Sequence, residues 1–186
     1  MTEAGKHIEV TRTYLQLARV EDFKPSRIDD ERVRIEAVAR CPASFYRFLY
    51  REVGRFYHWA DRLGWTDDQI RTHLARPEIT LWAMYAEGSP AGYFELERHG
   101  DGAFEIAYFG LLTEFFGRGL GKHLLSEAVE RAWAAGANRV WLHTCTLDDP
   151  AALPNYKARG FTPFEQETYV TTVTPEEEQS GRWRKA

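Results

Sequence analysis

The sequence predicts a mixed α/β fold: a mostly antiparallel central sheet that contains one parallel strand pair, with helices on both faces. Three observations carry this. Between residues 79 and 112, three runs of β-branched, aromatic and aliphatic residues are separated by the polar turns Glu87-Gly88-Ser89-Pro90 and His99-Gly100-Asp101-Gly102, the pattern of antiparallel hairpins. From 103 to 144 the order is strand, glycine-rich segment, amphipathic helix, strand, a crossover that makes its two strands parallel. Segments of helical period lie before and within this array, and a sheet with such neighbours is covered by them.

The elements follow in order. Residues 8–18 (IEVTRTYLQLA) are rich in β-branched and apolar side chains and predict the first strand. Pro42 fits the first turn of a helix, and Phe45, Phe48, Leu49, Val53 and Phe56 recur behind it at helical spacing. Thr66-Asp67-Asp68-Gln69 forms a capping box for a short helix over 67–75, with Ile70 and Leu74 as its apolar positions. Strands are predicted at 79–85, 91–97 and 103–112. Leu120, Leu124, Ala128, Val129 and Ala132 then mark an amphipathic helix that Gly136 stops. A strand follows at 139–144. Asp149-Pro150 opens another short helix, Gly160 closes it, and 164–173 is the last strand. The charged end, 175–186, is expected to fray. The chain, 1–186, reads as one domain, with 1–78 as an N-terminal strand and helices, 79–174 as the core and 175–186 as a flexible tail.

Bulk properties exclude several functions. The 186 residues, 44% hydrophobic and 28% charged, have an ordinary globular composition. A net charge of −4 disfavours a nucleic-acid partner, which requires a basic face. Cys41 and Cys145 have no CxxC or zinc-ligand spacing, so both read as reduced thiols and no metal is expected. The start MTEAGKHIEV lacks an apolar signal region, and no apolar run approaches the roughly 20 residues of a membrane helix. No membrane partner is expected, and the cytoplasm is the expected location.

The segment from Glu105 to Lys122 carries the chemistry. It runs from strand through glycine loop to helix start. Gly117, Gly119 and Gly121 remove Cβ atoms, so backbone N–H groups can close on an anion. The following helix adds free N–H groups and a positive dipole end, and Arg118 and Lys122 add charge, which together describe a pyrophosphate site. A Walker A reading fails, because Phe116 stands at its first glycine and His123 at its Ser/Thr. A dinucleotide fingerprint fails too: its last glycine would be Lys122 or Leu124.

Residues 116–121 (FGRGLG) resemble the Gln/Arg-x-x-Gly-x-Gly/Ala pyrophosphate loop of the GNAT N-acetyltransferase superfamily. Residues 105–111 resemble that family's fourth strand, and Asn155-Tyr156-Lys157-Ala158-Arg159-Gly160-Phe161 resembles its Tyr-x-x-x-Gly-Phe segment. The matching core spans about 79–164. Two departures stand out: Phe116 replaces the usual Gln or Arg, and Asp149 stands where the family often has Asn. The resemblance implies a GNAT-like fold whose fourth strand splays from the fifth. It also implies acetyl-CoA as cofactor and transfer of the acetyl group to a primary amine by direct attack in a ternary complex. Cofactor contacts would then come from Phe109, Leu111 and Leu112 through their backbone, from Phe116, Gly117, Arg118, Gly119, Leu120, Gly121 and Lys122 at the loop, and from Asn155, Tyr156 and Arg159.

Carried over in the same way, Tyr156 matches the family's general-acid tyrosine, and a phenol of pKa near 10 suits protonation of a departing thiolate. Glu105 occupies the position of the catalytic glutamate in the histone-acetyltransferase branch. On a strand it shares a face with Ala107 and Phe109, from which it would reach the amine if that face lines the cleft. Glu95 on the neighbouring strand competes for the role, and water is a third route. Asp149 either contacts a ligand or caps a helix. His143 and Cys145 share a strand face, which makes them cleft-lining residues rather than a tuned nucleophile pair. Phe45, Tyr46, Phe48, Tyr50, Phe56, Tyr57, Trp59 and Trp65 crowd the region where the family builds its acceptor pocket. They describe either an aromatic-walled site for a small amine or a thick aromatic core. A small-molecule acceptor is expected ahead of a protein N-terminus or lysine, in a monomer or homodimer. The competing class is a catalytically silent acyl-CoA sensor.

Overall fold

The computed structural model describes residues 5–180. Its strands are β1 (Lys6–Leu17), β2 (Val33–Ala37), β3 (Ile79–Ala86), β4 (Ser89–Arg98), β5 (Ala103–Leu111), β6 (Arg139–Cys145) and β7 (Thr162–Val173). Its helices are α1 (Ala43–Gly54), α2 (Asp67–Leu74), α3 (Leu120–Ala134), α4 (Ala152–Ala158) and α5 (Pro175–Ser180). The seven strands form one sheet in the order β2-β3-β4-β5-β6-β1-β7. Every neighbouring pair is antiparallel except β5–β6. That parallel ladder is short: Ala103 faces Arg139, Phe104 faces Val140 and Glu105 faces Trp141, and there the pairing ends. The mixed sheet with one parallel pair and helices on both faces is thus the observed fold.

The two faces are covered differently. Leu120, Leu124, Leu125, Ala128, Val129 and Ala132 of α3 are buried and pack with Leu15, Leu17, Phe104, Ile106, Val140 and Leu142. On the other face Tyr46, Leu49 and Val53 of α1 and Ile70 of α2 pack with Leu81 and Tyr93. Each large aliphatic side chain removed from water contributes about 1.5–3 kcal/mol, so both helix layers are held mainly by this burial. The capping box of α2 forms as expected: Gln69 N donates to Thr66 Oγ1 (3.3 Å) and Thr66 N donates to Gln69 Oε1 (2.8 Å).

The structure departs from the sequence expectations in several places. α1 ends at Gly54, before Phe56, and α4 begins at Ala152, after Asp149-Pro150. β2 is an additional edge strand, built on the alternation Val33-Arg34-Ile35-Glu36-Ala37 and paired to β3. Pro42 is the residue before α1 rather than part of its first turn, with ψ 142°. Phe48, expected on the apolar stripe of α1, is 39% exposed, and the buried stripe runs through Tyr46, Leu49, Tyr50 and Val53. Within the stretch expected to fray, residues 175–180 form α5, because Thr174 and Glu177 cap it reciprocally (Glu177 N to Thr174 Oγ1, 3.2 Å; Thr174 N to Glu177 Oε2, 2.9 Å). Residues 181–186 of that stretch lie outside the described residues.

One irregularity positions the site. Between β4 and β5 the register shifts: Glu95 faces Tyr108 but Leu96 faces Ile106, leaving Ala107 as a bulge. Alternation is therefore reset in β5. Phe104 and Ile106 before the bulge and Phe109 and Leu111 after it all join the α3 side, while Tyr108 joins the α1 side. Among the described residues no helix is long and apolar enough to cross a membrane.

Candidate active site

Where β5 and β6 stop pairing, a gap opens beside the end of β5. Leu112 N donates to Ala91 O on the β4 side (2.8 Å). Successive strand residues direct their peptide groups to alternate edges, so Leu111 and Phe109 turn theirs toward the gap. Beyond β5 the chain makes a short 3₁₀ turn, Thr113–Phe115, and enters the glycine loop. Gly117 and Gly119 have φ of 76° and 75°, a region that L side chains enter only under strain. A Cβ on Gly117 would meet nothing within 4 Å, so glycine is required there for conformation rather than space. Gly119 immediately precedes α3 and supplies no side-chain cap. The backbone amides of residues 117–122 donate to no described group, which leaves a ring of N–H donors at a helix start. The exposed Lys122 pairs with no described carboxylate and adds positive charge at the loop.

The loop opens into a cavity of about 560 Å³. The half next to the loop, where the sequence expects the donor, is lined by Phe109, Leu111, Phe116, Gly117, Gly119, Gly121, Lys122, Asn155 and Tyr156. Tyr156 is buried, with its ring edge-on to Phe109 (6.1 Å) and Phe161 (6.2 Å). None of the described residues hydrogen-bonds its hydroxyl. Burial, then the charges of Asp148 and Tyr57, push its pKa above the ordinary phenol range, so it carries its proton at physiological pH.

The other half, on the side where the sequence expects the acceptor, is built by the segment between α1 and α2 on one side and by β1, β6 and β7 on the other. Tyr57, His58, Trp59 and Asp61 line the first wall; Arg12, His143, Cys145, Tyr169 and Thr171 line the second, with Asp148 and Asp149 between them and α4. Trp59 is fixed by edge contacts to Tyr108 (5.0 Å) and Tyr93 (6.4 Å) and by its approach to Gly54, where a Cβ would lie 2.7 Å from the Trp59 Cβ. Tyr108 Oη donates to Asp61 Oδ2 (3.3 Å), and Tyr57 Oη donates to Asp149 Oδ2 (3.0 Å). His58 Nδ1 lies 3.1 Å from Glu177 Oε1. Arg12 is held by Glu167 (2.9 Å) and by the hydroxyl of Tyr169 (3.4 Å). Burial, followed by Arg12, pushes the pKa of His143 down. Burial, followed by Asp148, pushes the Cys145 thiol up to about 11, which keeps it a thiol rather than a nucleophilic thiolate. Asp148 Oδ2 accepts from Thr144 Oγ1 (2.7 Å) and from Cys145 N (2.9 Å). Burial raises its pKa against the opposing effect of those two bonds, of His143 and of the Trp59 side chain.

Several expected site residues stand apart from this cavity. Leu112 packs on the α1 side and its amide is used by Ala91. Arg118 reaches Glu87 (3.1 Å). The side chain of Leu120 is buried in the α3 core, leaving only its amide at the loop. Arg159 has a buried Nε without a partner, and its carbonyl accepts from Lys24 N (3.0 Å). The expectation that Glu105 shares a face with Phe109 is corrected by the bulge at Ala107, which puts them on opposite faces. Glu105 is not on the cavity wall; it meets His99 Nε2 at 3.1 Å, where the strands still pair, and burial raises its pKa against the effect of His99. Glu95 is also off the wall. It is sealed by Tyr46 Oη (2.9 Å), Arg62 Nη1 (3.0 Å) and His73 Nε2 (2.9 Å). Burial alone would raise its pKa, but the bond to His73 and the charge of Arg62 reverse the shift and hold it low.

Of the crowded aromatics, Tyr57 and Trp59 face the cavity, while Tyr46 and Tyr50 are buried core. Asp149 caps a turn by accepting from Ala151 N (2.9 Å) and also lines the cavity. Sequence reasoning missed Arg12, Asp61, Asp148, Tyr169 and Thr171 as wall residues. The pair Asp148-Asp149 before Pro150 was visible only as a helix-opening signal.

Comparison with known proteins follows the same lines. The profile of the acetyltransferase (GNAT) family matches residues 43–161. The mycothiol acetyltransferase of Corynebacterium efficiens is 27% identical over 117 residues, covering 59% of this chain and 38% of that protein. A GCN5-related N-acetyltransferase from Sphaerobacter thermophilus superposes with a TM-score of 0.66 at 14% identity, covering 92% of this chain and 54% of that one. One from Kribbella flavida gives 0.62 at 19%, covering 92% and 60%. An aminoglycoside acetyltransferase from an uncultured soil metagenomic sample gives 0.62 at 17%, covering 77% and 97%. At these identities the superpositions show a shared fold. The chain spans little more than a third of the curated relative's length.

Proposed function

This chain belongs to the acetyltransferase (GNAT) family, and we propose that it is an N-acetyltransferase that moves an acetyl group from acetyl-CoA to a primary amine of a small-molecule acceptor by direct attack. The observation that carries this reading is a single cavity joining loop amides to the hydroxyl of the buried Tyr156, neither of them bonded to a described residue. The names of the mycothiol and aminoglycoside acetyltransferases denote small-molecule acceptors, which favours that class here over a protein lysine or N-terminus.

The residues present fit the donor. The amides of 117–122 with Lys122 suit a diphosphate, the peptide groups of Phe109 and Leu111 offer an open strand edge to its extended arm, and Asn155 lines the same wall. When bound, acetyl-CoA supplies an activated acyl group with a thiol as leaving group. The Leu111 N–H would be the donor toward the acyl oxygen, a contribution of roughly 10²–10³ in rate. Tyr156 keeps its proton until a thiolate needs it, a contribution of roughly 10²–10⁴. The phenol argues for catalysis over a silent sensor, which needs no acid at this place.

The test combines thermal unfolding with product detection. CoA is expected to raise the melting temperature and ATP to leave it unchanged; ligand at 100 times its Kd adds about 2.7 kcal/mol of stability. An amine panel is then expected to release CoA. Stabilisation by ATP alone overturns the reading, and CoA binding without turnover of any amine leaves the sensor in its place.

A further inference from the structure

We propose that Asp148 receives the acceptor's amine, and that the acceptor half of the cavity is built for an organic ammonium ion with an apolar or planar body. This rests on the acyl-transfer reading above and adds to it the residue and the charge class.

The first argument is the state of the carboxylate. Asp148 sits in the turn after β6, where its own N donates to Cys145 O (3.0 Å). Its Oδ2 is pinned by the Thr144 hydroxyl and the Cys145 amide, two neutral donors. None of the described Lys, Arg or His side chains forms an ion pair with it. A carboxylate withdrawn from water without a counter-charge is unfavourable, and a cation entering the cavity supplies what is missing. The contrast with Glu95 is direct: that carboxylate already has Arg62 and His73.

The second argument is the balance of charge on the walls. Asp61, Asp148 and Asp149 face the acceptor half. Asp61 and Asp149 are each bonded by a tyrosine hydroxyl, which leaves their charge uncompensated. Two of the basic residues on these walls are committed, Arg12 to Glu167 and His58 to Glu177, and the pKa of the third, His143, is pushed down. Trp59, Tyr57 and Tyr169 add ring faces, which attract an ammonium or its apolar body.

The third argument is Tyr156. Tyr156, a buried residue on the wall of the same cavity, has a hydroxyl that bonds to none of the described residues, and Asp148 is close enough for its charge to act on that hydroxyl. Proton acceptor and proton donor thus flank one space. The balance closes as follows: the ammonium's first proton passes to Asp148 and on to water. The neutral nitrogen forms the C–N bond as the C–S bond breaks. Tyr156 protonates the sulfur, and the second nitrogen proton restores the Tyr156 hydroxyl. The products are an amide, a thiol and one proton.

The test uses the whole chain, saturated with CoA, and three ammonium probes: phenethylamine, tryptamine and hexylamine. Each is paired with the matching alcohol and carboxylate. The ammonium probes are expected to raise the melting temperature and the alcohols and carboxylates to leave it unchanged. Asp148→Asn is expected to abolish the ammonium shift and retain the CoA shift. It is also expected to lower kcat/KM for phenethylamine by roughly 100-fold or more. The loss is expected to shrink for trifluoroethylamine, which arrives neutral at pH 7.5. Equal response to alcohol or carboxylate, no response to any ammonium probe, or an Asp148→Asn protein with unchanged shift and rate overturns the inference. If the variant does not fold, the ligand series on the unaltered protein decides alone. Absence of a CoA shift removes the acyl-transfer reading itself, whereas a CoA shift without ammonium preference removes only this inference.

Discussion

Glu95 on β4 is a fully buried carboxylate and Asp148 after β6 a half-buried one on a cavity wall, and their surroundings push them in opposite directions. Glu95 has a guanidinium, an imidazole and a phenol around it, and its pKa is held low. Asp148 has a hydroxyl, an amide and the Trp59 side chain as neutral donors, with His143 acting only at longer range, and its pKa is raised. Desolvation is the largest influence on both; what differs is the counter-charge. Burial therefore does not mark a working carboxylate. A saturated one holds elements together, here α1, α2, β4 and the segment that carries Trp59 and Asp61. One that lacks a cation and faces a cavity is available to a ligand.

The sharpest way to break this contrast is to remove each carboxylate and measure stability by urea unfolding. Glu95→Ala strands Arg62 and His73 inside the protein and is expected to cost about 3–5 kcal/mol. Asp148→Ala leaves only neutral donors beside a cavity and is expected to cost about 1–3 kcal/mol. Equal losses would erase the distinction. On the open side, Tyr156→Phe is expected to lower kcat by roughly 10²-fold or more. Its CoA-induced thermal shift should stay unchanged, because the ring packing on Phe109 and Phe161 survives.

The pH dependence of stability separates the two by sign. The folded pKa of Glu95 lies below its unfolded value, so its contribution is complete above the ordinary carboxylate range and is lost as pH falls through the folded value. The folded pKa of Asp148 is raised, so its contribution is complete at low pH and is lost as pH rises through the folded value. Urea midpoints from pH 3 to 8 are expected to flatten on the acid side in Glu95→Gln and to lose the opposing slope in Asp148→Asn. A smaller effect tests the backbone-built donor half: Gly119→Ala forces a Cβ into φ 75° at a cost of about 1–2 kcal/mol and is expected to weaken the CoA shift. The smallest is Thr66→Ala, expected to cost about 1 kcal/mol by removing one arm of the α2 capping box. It should leave CoA binding untouched, since Thr66 is not on the cavity wall.

Much of the architecture was legible locally. The three central strands, α3 and the α2 capping box follow from periodicity and from turn and cap residues adjacent in the chain. The anion-loop glycines were legible for the same reason, and Gly117 and Gly119 adopt the left-handed backbone expected of them. β2 was missed although its five residues alternate, because so short an edge strand becomes distinct only when paired with β3. The misplacement of Glu105 has a different origin. Counting by twos along β5 is valid until Ala107 bulges, and the bulge arises from the fit between β4 and β5. Asp148 was hidden beside Asp149, since both suit a turn before a proline.

By itself the amino-acid order determined the strand and helix succession, the parallel crossover and the place of the glycine cradle. Each depends on neighbours along the chain, whose sterics and period act within a few residues. Only the tertiary structure decided which carboxylates are sealed and which meet the cavity. Counter-charge and desolvation come from residues far apart in sequence: Arg62 and His73 reach Glu95 from across a sheet face, while among the described residues no comparable cation pairs with Asp148.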